Sequence, residues 1–186
     1  SGKSLISSLF GYLNRAEKWQ LDSRYEYISI LNYLGALTED AAIAMLRVTA
    51  DNHLYDLMLS RNVNFRKTDQ SSPFFDGLEG KYLERLESAD GDCILDVIDK
   101  KDIILPVHVH YIFGYSNLLF DAYDKRLKLY IVALRSPLHL IRSWHKGGWA
   151  KRIGNDNRDF HLCIKSESSD IPWYVAEYAS EYLAAN

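Results

Sequence analysis

The sequence predicts a three-layer αβα domain, with helices on both faces of a central parallel sheet. Two runs, Ile103 to His110 and Lys128 to Leu134, have the length and the β-branched or continuously apolar character of strands buried on both faces. Between them, Asn117 to Tyr123 supplies a crossover helix, and Pro137, in a helical first turn, opens another that runs through Trp144. This βαβα alternation is what a parallel sheet requires, since parallel strands need a crossover. At the start, the small residues Ser1-Gly2-Lys3-Ser4 feed an apolar stripe, Leu5, Ile6, Leu9, Phe10 and Leu13, at helical spacing. A loop delivering a helix N-terminus is the arrangement of a nucleotide-binding fold of the P-loop type.

The other elements follow in order. Tyr25 to Leu37 is apolar and aromatic with helix-like spacing. Thr38 is the N-cap of a long helix from Asp40 to Leu59, because its hydroxyl can accept from a free first-turn N–H while Glu39 and Asp40 meet the positive end of the dipole. Ser60 to Pro73 has no sustained period and many turn formers, so it reads as an ordered loop. Leu78 to Leu86 and Cys93 to Ile98 give two short helices. Ile153 to Asp170 is polar and irregular.

Composition narrows the function. With 186 residues, 47% of them hydrophobic and 13% aromatic, the chain has material for one folded core. It opens without a methionine and stops at Asn186 within a helical pattern, so a single domain over 1–186, incomplete at both ends, is expected. Net charge is -3, which gives no footprint for nucleic acid or an anionic membrane, and any anion site must be local. No apolar run is long enough to span a bilayer. Cys93 and Cys163 lie far apart without a CxxC pair, which argues against a zinc site or a disulfide framework and for a reducing cytoplasm. No metal is expected.

Four groups of residues carry candidate chemistry. Gly2-Lys3-Ser4 ahead of a helix is the tail of a phosphate-binding loop: glycine lets the backbone approach an anion and successive N–H groups point at it. As a tripeptide it is equally a solvated terminus, and the apolar helix face behind it favours the functional reading. Arg135 lies at the carboxyl end of a predicted strand, where open α/β sheets bind ligands, and Ser143 sits eight residues on. An arginine there can fork onto a phosphate; taken alone, a surface ion pair explains it as well. His108 and His110 alternate with Val107 and Val109, so both occupy one face of a strand. Two histidines at a strand tip exceed what packing needs, and His110 leads as the general base with His108 in support. Lastly, Arg61, Asn64 and Arg66 cluster in the polar loop, a solvated basic face or an acceptor site, and Trp149 lies in a glycine-rich setting suited to a loop over a site.

In combination these segments resemble the sulfotransferases that use 3′-phosphoadenosine-5′-phosphosulfate (PAPS). Ser1-Gly2-Lys3-Ser4 is similar to the second half of that family's loop for the 5′-phosphosulfate. Arg135 with Ser143 matches the spacing of its 3′-phosphate pair, and Val109-His110 lies where the family has its Thr-His pair. Ile171-Pro172-Trp173-Tyr174 also looks like bacterial members acting on carbohydrate or small-molecule hydroxyls. The resemblance implies PAPS as donor, bound by Ser1, Gly2, Lys3, Ser4, Arg135 and Ser143. It implies catalysis by His110 with Lys3 and His108, and a carbohydrate or small-molecule acceptor met by Arg61, Asn64, Arg66 and Trp149. Lys3 and Val109 stand where the family has threonine, which keeps a non-catalytic nucleotide-binding module as an alternative. A P-loop kinase using ATP and magnesium is the other. Against it, neither predicted strand ends in the aspartate such a site needs, and ATP has no 3′-phosphate for Arg135 and Ser143.

Overall fold

The computed structural model describes residues 3–88, 93–110, 115–134 and 136–147. The chain divides into two compact units, one of Gly2–Ala133 and one of Leu134–Asn186 with Ser1. The described secondary structure is dominated by helix. In the first unit lie α1 (Lys3–Phe10), β1 (Gln20–Leu21), α2 (Arg24–Tyr33), α3 (Glu39–Met58), α4 (Glu79–Glu87), α5 (Cys93–Lys101), β2 (Val107–His108) and α6 (Asn117–Tyr123). The second unit contributes α7 (Pro137–Gly147).

Local chemistry accounts for the helix ends. At the start of α2, the Asp22 side chain accepts from the Arg24 backbone N–H at 2.9 Å. The helix closes at Gly35, whose φ of +70° lets its N–H reach Asn32 while the Ala36 N–H reaches back to Leu31. Thr38 caps α3 as the sequence predicts, its hydroxyl accepting from the Ala41 N–H at 3.4 Å. At the far end Ser60 takes φ +56°, and its hydroxyl donates to the Tyr82 carbonyl at 2.7 Å, a buried bond that offsets the backbone cost.

The core of this unit sits where α3 packs against α2 and α6, around Tyr25, Ile28, Ala42, Leu46, Leu118, Leu119 and Ala122. Leu46 is fully buried, which stabilises by about 1.5–3 kcal/mol relative to exposure. Two polar contacts fix α6 on α3: Tyr123 donates to the Leu46 carbonyl at 2.7 Å, and Arg47 donates to the Ala122 carbonyl at 2.7 Å.

The predicted three-layer αβα architecture with a central parallel sheet is overturned. The described residues contain one sheet of two strands, β1 and β2, parallel and in register Gln20↔Val107 and Leu21↔His108. Of the predicted strand over 103–110, only Val107–His108 is strand. Ile104 forms a single bridge to Ala16, and Pro106 between them has no N–H to donate. The run 128–134 joins no sheet among the described residues. It lies extended with Tyr130 against the core, while Leu129, Ile131 and Leu134 keep much of their surface exposed, Leu134 at 85%. An apolar run becomes a buried strand only with a ladder partner, and here α3 occupies the core instead. The segment 117–123 is helical as predicted, but α6 serves as a wall of the helical core rather than as a crossover. The strand that does pair with 107–108, Gln20–Leu21, carried no strand signal in the polar sequence around it.

Candidate functional site

A buried ionic cluster fixes the segment leading into β1. The Glu17 carboxylate, 1% exposed, accepts from Arg85 at 2.8 and 3.0 Å, from Lys81 at 2.9 Å and from the Tyr82 hydroxyl at 2.8 Å. Burial by itself raises the Glu17 carboxyl, but the Arg85 and Lys81 cations outweigh it and hold it below the usual carboxylate range. The next residue, Lys18, is equally buried and pairs with Asp76, while its backbone N–H donates to the Tyr82 hydroxyl at 2.6 Å. Burial pushes the Tyr82 hydroxyl up, so it stays protonated and can donate to Glu17. An ion pair this deep costs desolvation, and one anchored by an arginine fork is held in a single geometry. What the cluster orients is Trp19.

Trp19 is buried, its ring centroid 5.1 Å from that of His108 on β2. His108 Nδ1 lies 3.3 Å from the Ser7 hydroxyl on α1. Its ring is 5.3 Å from that of His110, as the alternation of the sequence predicts for side chains on one face. His110 follows β2, its backbone N–H donates to Glu26 Oε1, and its Nδ1 lies 3.8 Å from the same oxygen. Glu26 is buried on α2, while the His110 side chain is 42% exposed. A buried carboxylate behind a solvent-reaching imidazole is an arrangement that can orient a base.

Ser7, Trp19 and His108 line a cavity of about 740 Å³, within the range of small-molecule sites. Its remaining wall is largely aliphatic, from Ile6 on α1, Leu54 on α3, Ile98 on α5, and Leu105, Leu127 and Ile131 in extended segments. Asp51, Asp99, Asp102, Arg126 and Lys128 also line it. Two of those carboxylates face cations, Asp51 at 3.9 Å from Arg126 and Asp102 at 3.5 Å from Lys128.

The sequence-predicted residues distribute unevenly over this geometry. Lys3 and Ser4 occupy the first turn of α1. His108 reaches the cavity, and His110 does not line it. Arg61, Asn64 and Arg66 are not among the lining residues either. Asn64 staples its own loop, its amide donating to Asp69 at 3.0 Å and to Ser71 at 2.9 Å while its oxygen accepts from the Arg66 N–H at 3.0 Å. The Arg61 guanidinium lies over Tyr55. Ser143 sits in α7, in the other unit. Ser1, Gly2, Arg135 and Trp149 lie outside the described residues, as do Cys163 and the segments 153–170 and 171–174.

No family model, curated protein or solved structure matches this chain. Its function therefore has to be argued from the residues. Among the described residues, no group of three His, Cys, Asp or Glu side chains is placed to hold a metal, and no helix is long and apolar enough to cross a membrane.

Sequence reasoning missed Ser7, Trp19, Glu26 and the Glu17 cluster. Ser7 carried no signal, because its partner His108 is 101 residues away. Adjacent Glu17 and Lys18 lie in a short, mostly polar stretch with no local burial signal, and only the Arg85 and Asp76 contacts make them interior. A further buried group is His53 on α3. It lies 3.6 Å from Asp22, with Nε2 at 3.1 Å from the Gln20 side-chain oxygen, and it lines none of the cavity.

Proposed function

We propose that the chain transfers a sulfuryl group from PAPS to a hydroxyl acceptor. The observation that carries the reading is the 3.3 Å approach of Ser7 on α1 to His108 on β2. It brings α1, whose first turn carries Lys3 and Ser4, beside the histidine-bearing segment, at the wall of a cavity large enough for a substrate. The contact is made without a central sheet, beside the short β1–β2 pairing.

In this reading the N–H groups at the start of α1, with Lys3 and Ser4, hold the donor's 5′ end, where an anion meets backbone donors and the positive end of a dipole. The acceptor oxygen attacks sulfur in line, the bond from sulfur to the 5′-phosphate oxygen breaks, and adenosine 3′,5′-bisphosphate departs. The acceptor proton passes to His110, whose imidazolium the buried Glu26 carboxylate stabilises. Lys3 offsets charge on the departing oxygen.

Calorimetry with adenosine 3′,5′-bisphosphate, with ATP and with ATP plus magnesium separates this reading from its rivals. Magnesium-independent binding of the bisphosphate, tighter than that of ATP, is expected; magnesium-dependent ATP binding without it would assign a kinase. Radiolabelled sulfate transfer from PAPS then distinguishes an enzyme from a binding module.

A further inference from the structure

We propose that the 740 Å³ cavity takes an uncharged alcohol with an apolar body and a single hydroxyl, and that this hydroxyl sits at the Ser7–His108 pair. Calling this ligand the acceptor rests on the sulfuryl-transfer reading, with the proton handed on from His108 at the wall to His110, whose ring lies 5.3 Å from it outside the cavity; its binding does not. Three observations select the class. The wall is aliphatic over most of its extent, through Ile6, Leu54, Ile98, Leu105, Leu127 and Ile131, so a polyol would lose its hydration without replacement partners. The charges at the cavity, three carboxylates against two cations, leave no surplus positive charge for an anionic ligand, and Arg126 and Lys128 already face Asp51 and Asp102. Among the other polar groups of the wall, Tyr25 and Tyr123 face His53 and the Leu46 carbonyl and Asp51 and Asp102 face cations, whereas Trp19, packed on His108 beside Ser7, has a buried indole N–H with no partner among the described residues. An unsatisfied buried donor beside a hydroxyl–imidazole pair matches a ligand that brings one oxygen able both to accept and to donate.

In this assignment the acceptor meets Ser7 and His108 rather than Arg61, Asn64 and Arg66. Asn64 is committed to Asp69, Ser71 and the Arg66 backbone, and the cavity wall excludes all three residues.

Binding of 1-nonanol, methyl octyl ether, nonanoate and glucose to the whole chain, measured by saturation-transfer NMR and tryptophan fluorescence without donor, tests the class. Saturable nonanol binding is expected, about three- to tenfold tighter than that of the ether, which lacks the donor hydrogen, with nonanoate and glucose weaker still. Ser7→Ala should erase the preference of nonanol over ether, and Ala50→Leu, which fills space at the wall, should weaken both. Far-UV circular dichroism and thermal melting confirm folding of each variant, and Leu129→Trp, at a half-solvated wall position, replaces Ala50→Leu if that variant unfolds. Absence of saturable nonanol binding, or glucose binding as tightly as nonanol, or equal nonanol and ether affinities overturns the proposal. Bisphosphate titration of the same samples separates the two readings. Nonanol binding without bisphosphate binding removes sulfuryl transfer and leaves the ligand class standing, while the reverse removes the ligand class alone.

Discussion

The Ser7 hydroxyl lies 3.3 Å from His108 Nδ1, joining the first helix of the chain to the second strand across 101 residues. With Trp19 packed on the same imidazole, the contact fixes one wall of the cavity. The proposed chemistry depends on which of the neighbouring histidines handles the proton.

His110 is the general base in the proposed reaction. A positioned base contributes ~10²–10⁴-fold, so His110→Ala should lower single-turnover sulfate transfer by about that factor while bisphosphate affinity stays nearly constant. His108→Ala should cost less in turnover and act partly through stability, because His108 is buried against Trp19 and Ser7. A larger turnover loss for His108→Ala exchanges the two roles.

Arg135→Ala should weaken bisphosphate binding by about 1.5–3 kcal/mol, the range for hydrogen bonds to charged groups, with the fold intact. Calorimetry reads it directly. Unchanged affinity, or equal binding of adenosine 5′-phosphate by the wild type, removes the 3′-phosphate from Arg135.

Tyr82→Phe should destabilise the chain by about 1–3 kcal/mol in urea unfolding, because the lost hydroxyl serves two buried groups, accepting from the Lys18 N–H and donating to Glu17. Glu17 keeps its Arg85 and Lys81 partners, so the variant should still fold. A loss below about 0.5 kcal/mol would show that these two bonds do not hold the segment before β1.

Stability should fall in two acid steps. Burial is the main cause that lowers His53 below its ordinary value of 6.5, so the folded state holds it neutral. That contribution is complete above 6.5 and is lost as pH falls from there toward the folded value. Glu17 and Asp22 are also lowered, from 4.5 and 3.8: burial opposes ionisation in both, and Arg85 with Lys81 at Glu17, or Arg24 at Asp22, prevails. Their contribution is present above those ordinary values and is lost as pH falls through the folded ones. Urea midpoints taken from pH 8 to pH 3 should show both steps, and His53→Gln should abolish the upper one alone.

The sequence by itself determined the helices, because their signals are local. Thr38 with its acidic first turn placed the start of α3, Pro137 the start of α7, and the apolar spacing over 117–123 the bounds of α6. It also placed His108 and His110 on one face, since side-chain alternation needs no partner strand. Tertiary structure alone decided which extended segments pair. The apolar run 128–134 has the composition of a buried strand and no ladder partner among the described residues, while Gln20–Leu21, in a mostly polar stretch, became the strand beside His108, next to Glu17 and Lys18, which are pinned from α4 and by Asp76. The cavity and the Ser7–His108 contact were equally out of reach of the sequence. A helix is fixed by hydrogen bonds four residues apart, whereas a strand pair or a cavity wall is fixed by contacts whose partners lie anywhere in the chain.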